Sequence, residues 1–340
     1  MPASWLQQVE EWFREPQVQS YGEGSEELVL QPVREMIEPH IPRMLYKLYA
    51  PEQYAIDFLE HGKTGMTSAS AFNDPFDTVQ KLDKKFIEDA IRREDIRALL
   101  SPIYKVLKDP VEAFKLPELG LLSEKNKSLY IASVLSEWNI EKVAYYLEHP
   151  DEYYSKDIAE YTECLRECQK EIVAHTYVSC FTTEITNMLM WSHYAKSHKG
   201  FAIGYDFSTE ENKEARKILF PVLYSDKKLD VTIETHFVQS LTLSEERGYS
   251  IDRLIGIKSS LFKSPDWSYE KEWRIAKRDL ENTCPYEELP LKASEIYYGS
   301  RISTEDFTKL HKIAEKQGLK EYKMNVDPYS DEFCLEIVEL

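Results

Sequence analysis

The order of helix-like and strand-like segments is irregular, and this order limits the possible folds more than any other feature. A charged block of roughly one hundred residues, from Val79 to about Val173, carries Leu, Ile, Tyr and Phe at helical spacing. Strand-like segments lie on both sides of this block, and they do not alternate regularly with helices. The sequence therefore predicts an α+β fold with a mixed, mostly antiparallel sheet core and a large helical insert, rather than a doubly wound parallel sheet.

The other segments fit one domain built around that insert. Residues 1–43 are predicted to form an N-terminal helical segment, and residues 44–340 a single α+β domain containing the insert at about 79–173. Apolar alternation and turn residues predict the strands of this domain. The predicted strands are Met44–Tyr49, Lys63–Ser70, Tyr177–Thr182, Phe201–Asp206, Leu219–Tyr224, Glu272–Ala276, Glu295–Tyr298, Lys320–Met324 and Phe333–Val338.

Charge and cysteine content narrow the classes of function. The net charge of −18 makes nonspecific nucleic-acid binding unfavourable, although a local basic cleft stays open. No apolar run is long enough for a bilayer, and the first residues lack a signal-peptide pattern, so we expect a cytoplasmic protein without membrane contact. Five cysteines argue against a disulfide framework. Cys164 and Cys168 lack a second Cys/His pair at ligand spacing, so no metal site is predicted.

The segment Phe72–Asp77 places polar turn residues between two phenylalanines. Asn73 and Asp74 favour a turn because their short side chains bond nearby backbone, and Pro75 presets φ. Burial of the phenylalanines would pin this turn to a core. One interpretation is a buried Asx-turn that ends a strand; the other is that Asn73 and Asp74 brace a pocket.

A second dense segment runs from Met190 to Phe201. On a helix, Trp191, Tyr194 and His198 share one face, and His193 lies next to Met190. Aromatic rings can stack on ligand rings, and His can donate or accept hydrogen bonds, so this face suits a ligand pocket. The alternative is that Trp191 and Tyr194 anchor the core.

The third segment is Trp267–Arg274. If it is extended, Glu270, Glu272 and Arg274 point to one side, where two carboxylates and a guanidinium could bind a ribose or stabilise a cation. If it is helical, Glu270 and Arg274 form a surface pair worth about 0.3–0.5 kcal/mol. The chain lacks a Walker loop, a Gly-rich dinucleotide turn, a G-x-S-x-G elbow and an H-E-x-x-H motif.

Together these segments resemble the bacterial domain-of-unknown-function family twenty-nine seventy-one. The resemblance covers about Met44 to Ser300, with the helical insert as the variable part. It supplies no established activity and implies a standalone bacterial protein in apparent phage-defence settings. The motifs that carry it are Leu45-Tyr46-Lys47, Ser70–Asp77, Ser179-Cys180-Phe181, Leu189–Tyr194, His198–Phe201, Lys263, Trp267, Tyr269–Arg274 and Ile296–Gly299.

The order of elements is also similar to the opening of ADP-ribosyltransferase-like domains. In those families an early strand carries a His or Arg that holds NAD, and a later strand carries Glu, often as E-x-E. Glu270-Lys271-Glu272 resembles the later motif. The early position departs from the pattern, because this chain has Tyr46-Lys47 there.

This second resemblance implies an NAD-consuming enzyme, of the ADP-ribosyl transfer or NAD glycohydrolase type, in bacterial stress or phage defence. NAD would be a substrate, and a small-molecule nucleotide is the expected partner. Glu272 would stabilise the positive charge that forms on the ribose, and Glu270 would orient the acceptor. The predicted ligand-binding residues are Tyr46, Lys47, Asn73, Asp74, Trp191, His193, Tyr194, His198 and Arg274.

Two other functions stay open at this point. A noncatalytic sensor could bind a peptide or nucleotide between the Phe72–Asp77 turn and the Trp191–His198 helix, with the helical insert facing a protein partner. A metal-dependent nuclease could use Asp74, Asp77 and the two glutamates as oxygen ligands. The acidic net charge favours the nuclease least, because a nuclease needs a basic track for phosphates.

Overall fold

Helices and strands alternate irregularly along the chain, which confirms the predicted α+β class. This computed structural model describes residues 4–15, 19–20, 25–72, 74, 76–93, 95–119, 124–232, 249–250, 254–279 and 286–340. The helices are α1 (Trp5–Arg14), α2 (Ser25–Ile37), α3 (Gln53–His61), α4 (Lys84–Arg92), α5 (Ile96–Lys108), α6 (Glu124–Glu137), α7 (Ile140–Glu148), α8 (Pro150–Ala174), α9 (Met188–Tyr194), α10 (Lys213–Arg216), α11 (Ile255–Ser259) and α12 (Thr304–Gln317). The strands are β1 (Gln19–Ser20), β2 (Met44–Tyr49), β3 (Lys63–Ser68), β4 (Thr176–Thr182), β5 (Phe201–Asp206), β6 (Leu219–Pro221), β7 (Leu223–Tyr224), β8 (Tyr249–Ser250), β9 (Phe262–Lys263), β10 (Glu272–Arg278), β11 (Tyr286–Pro290), β12 (Glu295–Tyr298), β13 (Lys320–Asn325) and β14 (Glu336–Glu339).

Ten of the described strands form one sheet. Its main path is β11-β3-β4-β2-β5-β12-β13-β14; β10 pairs with β4, and β6 pairs with β10. Neighbouring strands are antiparallel except β12 and β13, which are parallel. The predicted mixed, mostly antiparallel sheet is therefore confirmed.

The sheet divides beside β4. One edge of β4 pairs with β10 over its whole length, from Thr182 to Thr176. The other edge is shared, because β3 pairs with Tyr177 and Val178 whereas β2 pairs with Thr182. β2 and β3 therefore separate between these points and leave a cleft at the middle of β4.

Local sequence fixes the elements that border the cleft. α3 joins β2 to β3 and ends before Gly62, whose φ of 64° is the left-handed conformation that favours glycine at a helix end. α9 begins after Asn187, whose side chain accepts hydrogen bonds from the N–H groups of Leu189 and Met190. The helix ends at Tyr194, before His198, which the sequence pattern placed on the same helix face.

Three consecutive left-handed residues explain why α9 is short. Lys196, Ser197 and His198 have φ values of 48°, 56° and 65°. An α-helix cannot continue through this conformation. The backbone turns back instead, and the His198 N–H donates to the Trp191 carbonyl at 3.1 Å. His198 is thus not on the helix face on which the sequence pattern placed it.

Three groups of buried apolar side chains stabilise the described part of the chain. The largest lies between the sheet and helices α1, α2, α3 and α12. A smaller one lies around Trp191 and Leu335 on the face of α9. A third lies within the insert, where α5, α6 and α7 pack on one another and on Tyr153. Among the described helices, none has the length and apolar character that a bilayer crossing needs.

Candidate functional site

A cavity of about 390 Å³ occupies the division of the sheet. Strands β2, β3, β4 and β10, helix α9 and the 3₁₀ helix Pro265–Glu270 supply most of its lining. Its residues are Tyr46, Lys47, Leu48, Thr67, Ala71, Phe72, Asp77, Val178, Cys180, Phe181, Thr182, Met190, Tyr194, Lys263, Glu270, Glu272 and Arg274.

Arg274 is the centre of a buried ionic cluster and is 1% exposed. Its two terminal nitrogens donate to both carboxylate oxygens of Asp77 at 2.9 and 2.7 Å. Nε and Nη2 donate to Glu272 at 2.8 and 3.0 Å, and Nη1 donates to the Ser260 carbonyl at 2.5 Å. Burial alone would lower the pKa of Arg274, but Glu272 and Asp77 raise it well above its ordinary value.

These contacts use all five N–H groups of the guanidinium. Arg274 therefore positions the two carboxylates. A direct hydrogen bond to a ligand, which the sequence predicted for Arg274, would require it to give up one of these partners.

Lys263 joins the two glutamates of the E-x-E motif. Its Nζ donates to Glu270 at 2.5 Å and to Glu272 at 2.9 Å, and it lies 3.9 Å from Asp77. The ammonium also lies 5.0 Å from the centre of the Trp267 ring. Lys263 belonged to the family motif but had no predicted role, and the structure places it between the candidate catalytic carboxylates.

The backbone does not carry both glutamates on one strand. Glu270 ends the 3₁₀ helix, Lys271 has a left-handed φ of 42°, and β10 begins at Glu272. The expectation of one extended segment therefore holds for Glu272 and Arg274 but not for Glu270. Lys263 and Tyr194, which are distant in sequence, bring Glu270 to the same site.

The two glutamates have opposite proton affinities. Burial raises the pKa of Glu272, but Arg274 and then Lys263 outweigh burial and lower that pKa to about 2. Burial and the charge of Glu272 raise the pKa of Glu270 above its ordinary value. The Tyr194 hydroxyl donates to Glu270 at 2.7 Å. Glu272 is therefore a fixed anion, whereas Glu270 is the group whose protonation can change.

The ionic cluster contains three carboxylates but two cations. Asp77, Glu270 and Glu272 face Lys263 and Arg274. When all five are charged, the cluster has one excess negative charge in a desolvated site. Such a site favours a ligand group that is positive or becomes positive.

Lys47 lies apart from this cluster and bridges the divided sheet. From β2, its Nζ donates to the Gly65 carbonyl at 2.8 Å, to Ser179 Oγ at 2.6 Å and to Thr64 Oγ1 at 3.3 Å. These bonds connect β2 with β3 and β4 where the backbones separate. Burial lowers the pKa of Lys47 from 10.5 to about 8.

Aromatic side chains form much of the remaining wall. Tyr46 is half-buried and contacts Tyr297 edge to face, with ring centres 5.4 Å apart. The Phe72 ring lies 5.2 Å from the Arg274 guanidinium. The apolar surface next to the carboxylates thus comes from the rings of Tyr46, Phe181 and Tyr194.

The structure brings six predicted site residues to the cleft: Tyr46, Lys47, Tyr194, Glu270, Glu272 and Arg274. It places four others outside its lining. Trp191 is fully buried in the core and donates its indole N–H to the Ile185 carbonyl at 2.6 Å. His198 stacks on Trp191, and His193 is exposed.

Asp74 is the fourth predicted residue outside the lining of the cleft, and its side chain stabilises the turn. Its Oδ1 accepts a hydrogen bond from the Phe76 N–H at 2.8 Å, which is an Asx-turn contact. The neighbouring Asn73 lies outside the described residues. Asp77, at the end of the same segment, enters the cleft and binds Arg274.

The same contacts bear on metal binding. Arg274 and Lys263 lie against the carboxylates that the nuclease hypothesis assigns to metal ions. Across the described part of the chain, no group of three or more His, Cys, Asp or Glu side chains is arranged to hold a metal ion.

Residues 190–275 match the model of a family described as "Protein of unknown function (DUF2971)". The predicted resemblance to DUF2971 is confirmed. No curated protein and no solved structure matches the chain. The DUF2971 match extends from Met190, within α9, to Ile275 and so contains four of the five charged residues of the cluster. The ADP-ribosyltransferase-like resemblance stays a prediction.

Proposed function

We propose that the cleft breaks the bond between nicotinamide and ribose in NAD and transfers ADP-ribose to an acceptor or to water. The observation that carries this proposal is the pair Glu270 and Glu272, which have opposite pKa shifts at one end of an aromatic-walled cavity. A cavity of about 390 Å³ is within the range of small-molecule sites.

Glu272 suits the first part of the reaction. As the glycosidic bond breaks, its electrons go to the nicotinamide nitrogen, and positive charge develops on the ribose. An ionised carboxylate that is already fixed in place stabilises this charge without reorganising. Arg274 and Lys263 keep Glu272 ionised and fixed. The excess negative charge of the cluster adds to the effect.

Glu270 suits the second part. The oxygen of water or of another acceptor forms a bond to the ribose carbon, and its proton must go to a base. Glu270 has a raised pKa, so its carboxylate accepts a proton more readily than an ordinary glutamate does. The Tyr194 hydroxyl fixes one of its oxygens at 2.7 Å. Tyr46 and Tyr194 offer rings for stacking on nicotinamide.

The test is release of nicotinamide from NAD by the purified full chain, followed by chromatography. We expect Glu272→Gln to lower the rate by about 10²-fold or more, since it removes the fixed charge. Tyr194→Phe should lower it less and leave the fold intact. Glu288→Gln makes the same chemical change in a half-exposed pair with Lys63 and should have no effect.

Absence of nicotinamide release by the unaltered protein would contradict the proposal. An unchanged rate in both Glu272→Gln and Glu270→Gln, with thermal unfolding showing folded proteins, would contradict the assigned roles. The family resemblance adds bacterial stress or phage defence as the proposed setting.

A second candidate is a noncatalytic module that binds a cationic ligand. It is favoured by the saturation of Arg274 and Lys47, whose N–H groups all have protein partners. Such a preformed cluster can hold a ligand without performing chemistry. Calorimetry that detects binding of nicotinamide riboside, which carries a net positive charge, together with no nicotinamide release from it or from NAD, would select this function.

A further inference from the structure

The last strand of the sheet has a free edge. Within the described residues, β14 pairs with β13 alone. The Leu340 N–H donates to the Glu321 carbonyl at 3.0 Å, which fixes the alternation of the ladder. Glu336 and Val338 therefore direct their backbone groups toward β13, and Ile337 and Glu339 direct theirs away from it. No strand in the described part of the chain pairs with the N–H and C=O groups of these two residues at this edge.

Large apolar side chains accompany the free edge. Ile337 and Val338 are 43% and 44% exposed. In the loop before β14, Tyr329 and Phe333 are 92% and 96% exposed. Leu335 is buried beside Trp191 and holds this loop on the sheet. Exposed aromatic rings next to an unpaired strand edge are typical of a surface that another chain covers.

The charge of this region indicates what kind of segment fits. Residues 326–340 contain five acidic side chains, namely Asp327, Asp331, Glu332, Glu336 and Glu339, and no Lys, Arg or His. A second copy of the chain fits poorly. Pairing of two β14 strands would bring together two copies of this segment, each with five acidic side chains and no basic one, and the repulsion between them opposes such a dimer.

We propose that this surface, residues 326–340, binds an extended and positively charged segment of a partner protein as an additional strand. The outward backbone groups of Ile337 and Glu339 would pair with the added strand. Tyr329 and Phe333 would contact its apolar side chains. Its Lys or Arg residues would pair with Glu336 on one face of β14 or with Glu339 on the other, depending on the face that carries them. This proposal is independent of any chemistry in the cleft.

The test uses a fluorescent peptide of about ten residues that alternates Lys and Val, and the full-length protein. Fluorescence anisotropy should show binding, and a peptide that alternates Glu and Val should bind at least tenfold more weakly. Ile337→Pro should weaken binding of the basic peptide at least tenfold, because proline removes an outward N–H but no bond to β13. This variant keeps the net charge, so it separates strand pairing from general attraction to an acidic protein.

A second variant reverses the charge. Glu336→Lys combined with Glu339→Lys should shift the preference toward the acidic peptide. Glu288→Lys on β11, the opposite edge of the sheet, is the control and should leave binding unchanged. Unchanged binding in the Ile337→Pro variant, with a normal unfolding temperature, would overturn the proposal. A dimer in sedimentation that Ile337→Pro abolishes would also overturn it, because the occupant would then be a second copy.

Discussion

Single buried charges in the cleft stabilise the fold only as a set. Removing a guanidinium and its carboxylates from water costs several kcal/mol per ion, and close pairing returns most of this cost. Asp77 and Glu272 together occupy four of the five N–H groups of Arg274. Loss of one partner would leave a buried charge without compensation.

Asp77→Asn should therefore lower the free energy of unfolding by about 3–5 kcal/mol. Glu288→Gln is the matched control, because it breaks a half-exposed pair with Lys63 and should change stability by less than about 1 kcal/mol. Urea unfolding followed by circular dichroism measures both. Equal effects of the two substitutions would show that the Asp77–Arg274 pair is not the strong contact that its geometry indicates.

Lys47 gives the stability a defined dependence on pH. Its pKa is about 8 in the folded protein, below its ordinary 10.5, so the unfolded chain holds the proton more tightly. Rising pH between 8 and 10.5 therefore favours the folded state through this group, and below pH 8 the full cost of burying the ammonium is present. The difference between the two pKa values of Lys47, 10.5 and about 8, corresponds to about 3 kcal/mol of folding free energy.

Lys47→Met should remove this dependence. We expect the unfolding free energy of the variant minus that of the unaltered protein to decrease as pH rises from 8 to 10, because only the unaltered protein gains stability through Lys47. Because tyrosines and cysteines titrate in the same range, the difference between the two proteins, rather than either curve, is the quantity to measure. A difference that stays constant across this range would mean that Lys47 keeps an ordinary pKa.

Sequence alone could find only part of this cluster. Glu272 and Arg274 are two residues apart on one strand face, and alternation predicts their proximity. Asp77 and Arg274 are separated by 197 positions, and no local pattern relates them. The distant Lys263 and Tyr194, rather than local sequence, hold Glu270 beside Glu272. Contacts of this kind depend on strand pairing, which one sequence does not display.

For helices and strands, too, local sequence predicts where an element lies but not which element it pairs with. The bounds of β2 follow from apolar alternation, and the sequence predicted them. The end of α3 likewise follows from a local residue, Gly62. The sharing of one edge of β4 by β2 and β3 was not predicted, although it creates the cleft. Local strand patterns fix which residues alternate but not which strands become neighbours.

The helical insert has an apolar core of its own. The buried residues around Ile103 and Val143 share no member with the core beneath the sheet. α8 continues from the insert to the sheet, where Ile172 is buried. We therefore expect α5, α6 and α7 to open as a unit without loss of the sheet.

Ile103→Ala should lower the stability of this unit by about 2–4 kcal/mol, because it leaves a cavity in a small core. Hydrogen exchange should then accelerate in α5, α6 and α7 and stay unchanged in β5. Ile203→Ala, in β5, is the control and should accelerate exchange in the sheet. Faster exchange in β5 on substitution of Ile103 would show that insert and sheet unfold together.

The net negative charge of the molecule repels NAD, the substrate proposed for the cleft. The chain carries a net charge of −18, and NAD is an anion at neutral pH. The repulsion acts over a Debye length, which falls from about 30 Å at 0.01 M to about 10 Å at 0.1 M salt. Salt should therefore assist the encounter with NAD, whereas the ionic cluster in the cleft, whose charged side chains are buried, should respond little.

Raising salt from about 0.01 M to about 0.1 M should increase kcat/KM for NAD several-fold and leave kcat unchanged. Nicotinamide riboside carries the same reacting bond but a net positive charge, so its kcat/KM should fall over the same range. The opposite responses separate long-range repulsion from an effect of salt on the protein itself. Initial rates of nicotinamide release measure both substrates under identical conditions. If both values change in the same direction, the net charge does not govern the encounter, and salt acts instead through the ionic cluster of Arg274 and its partners.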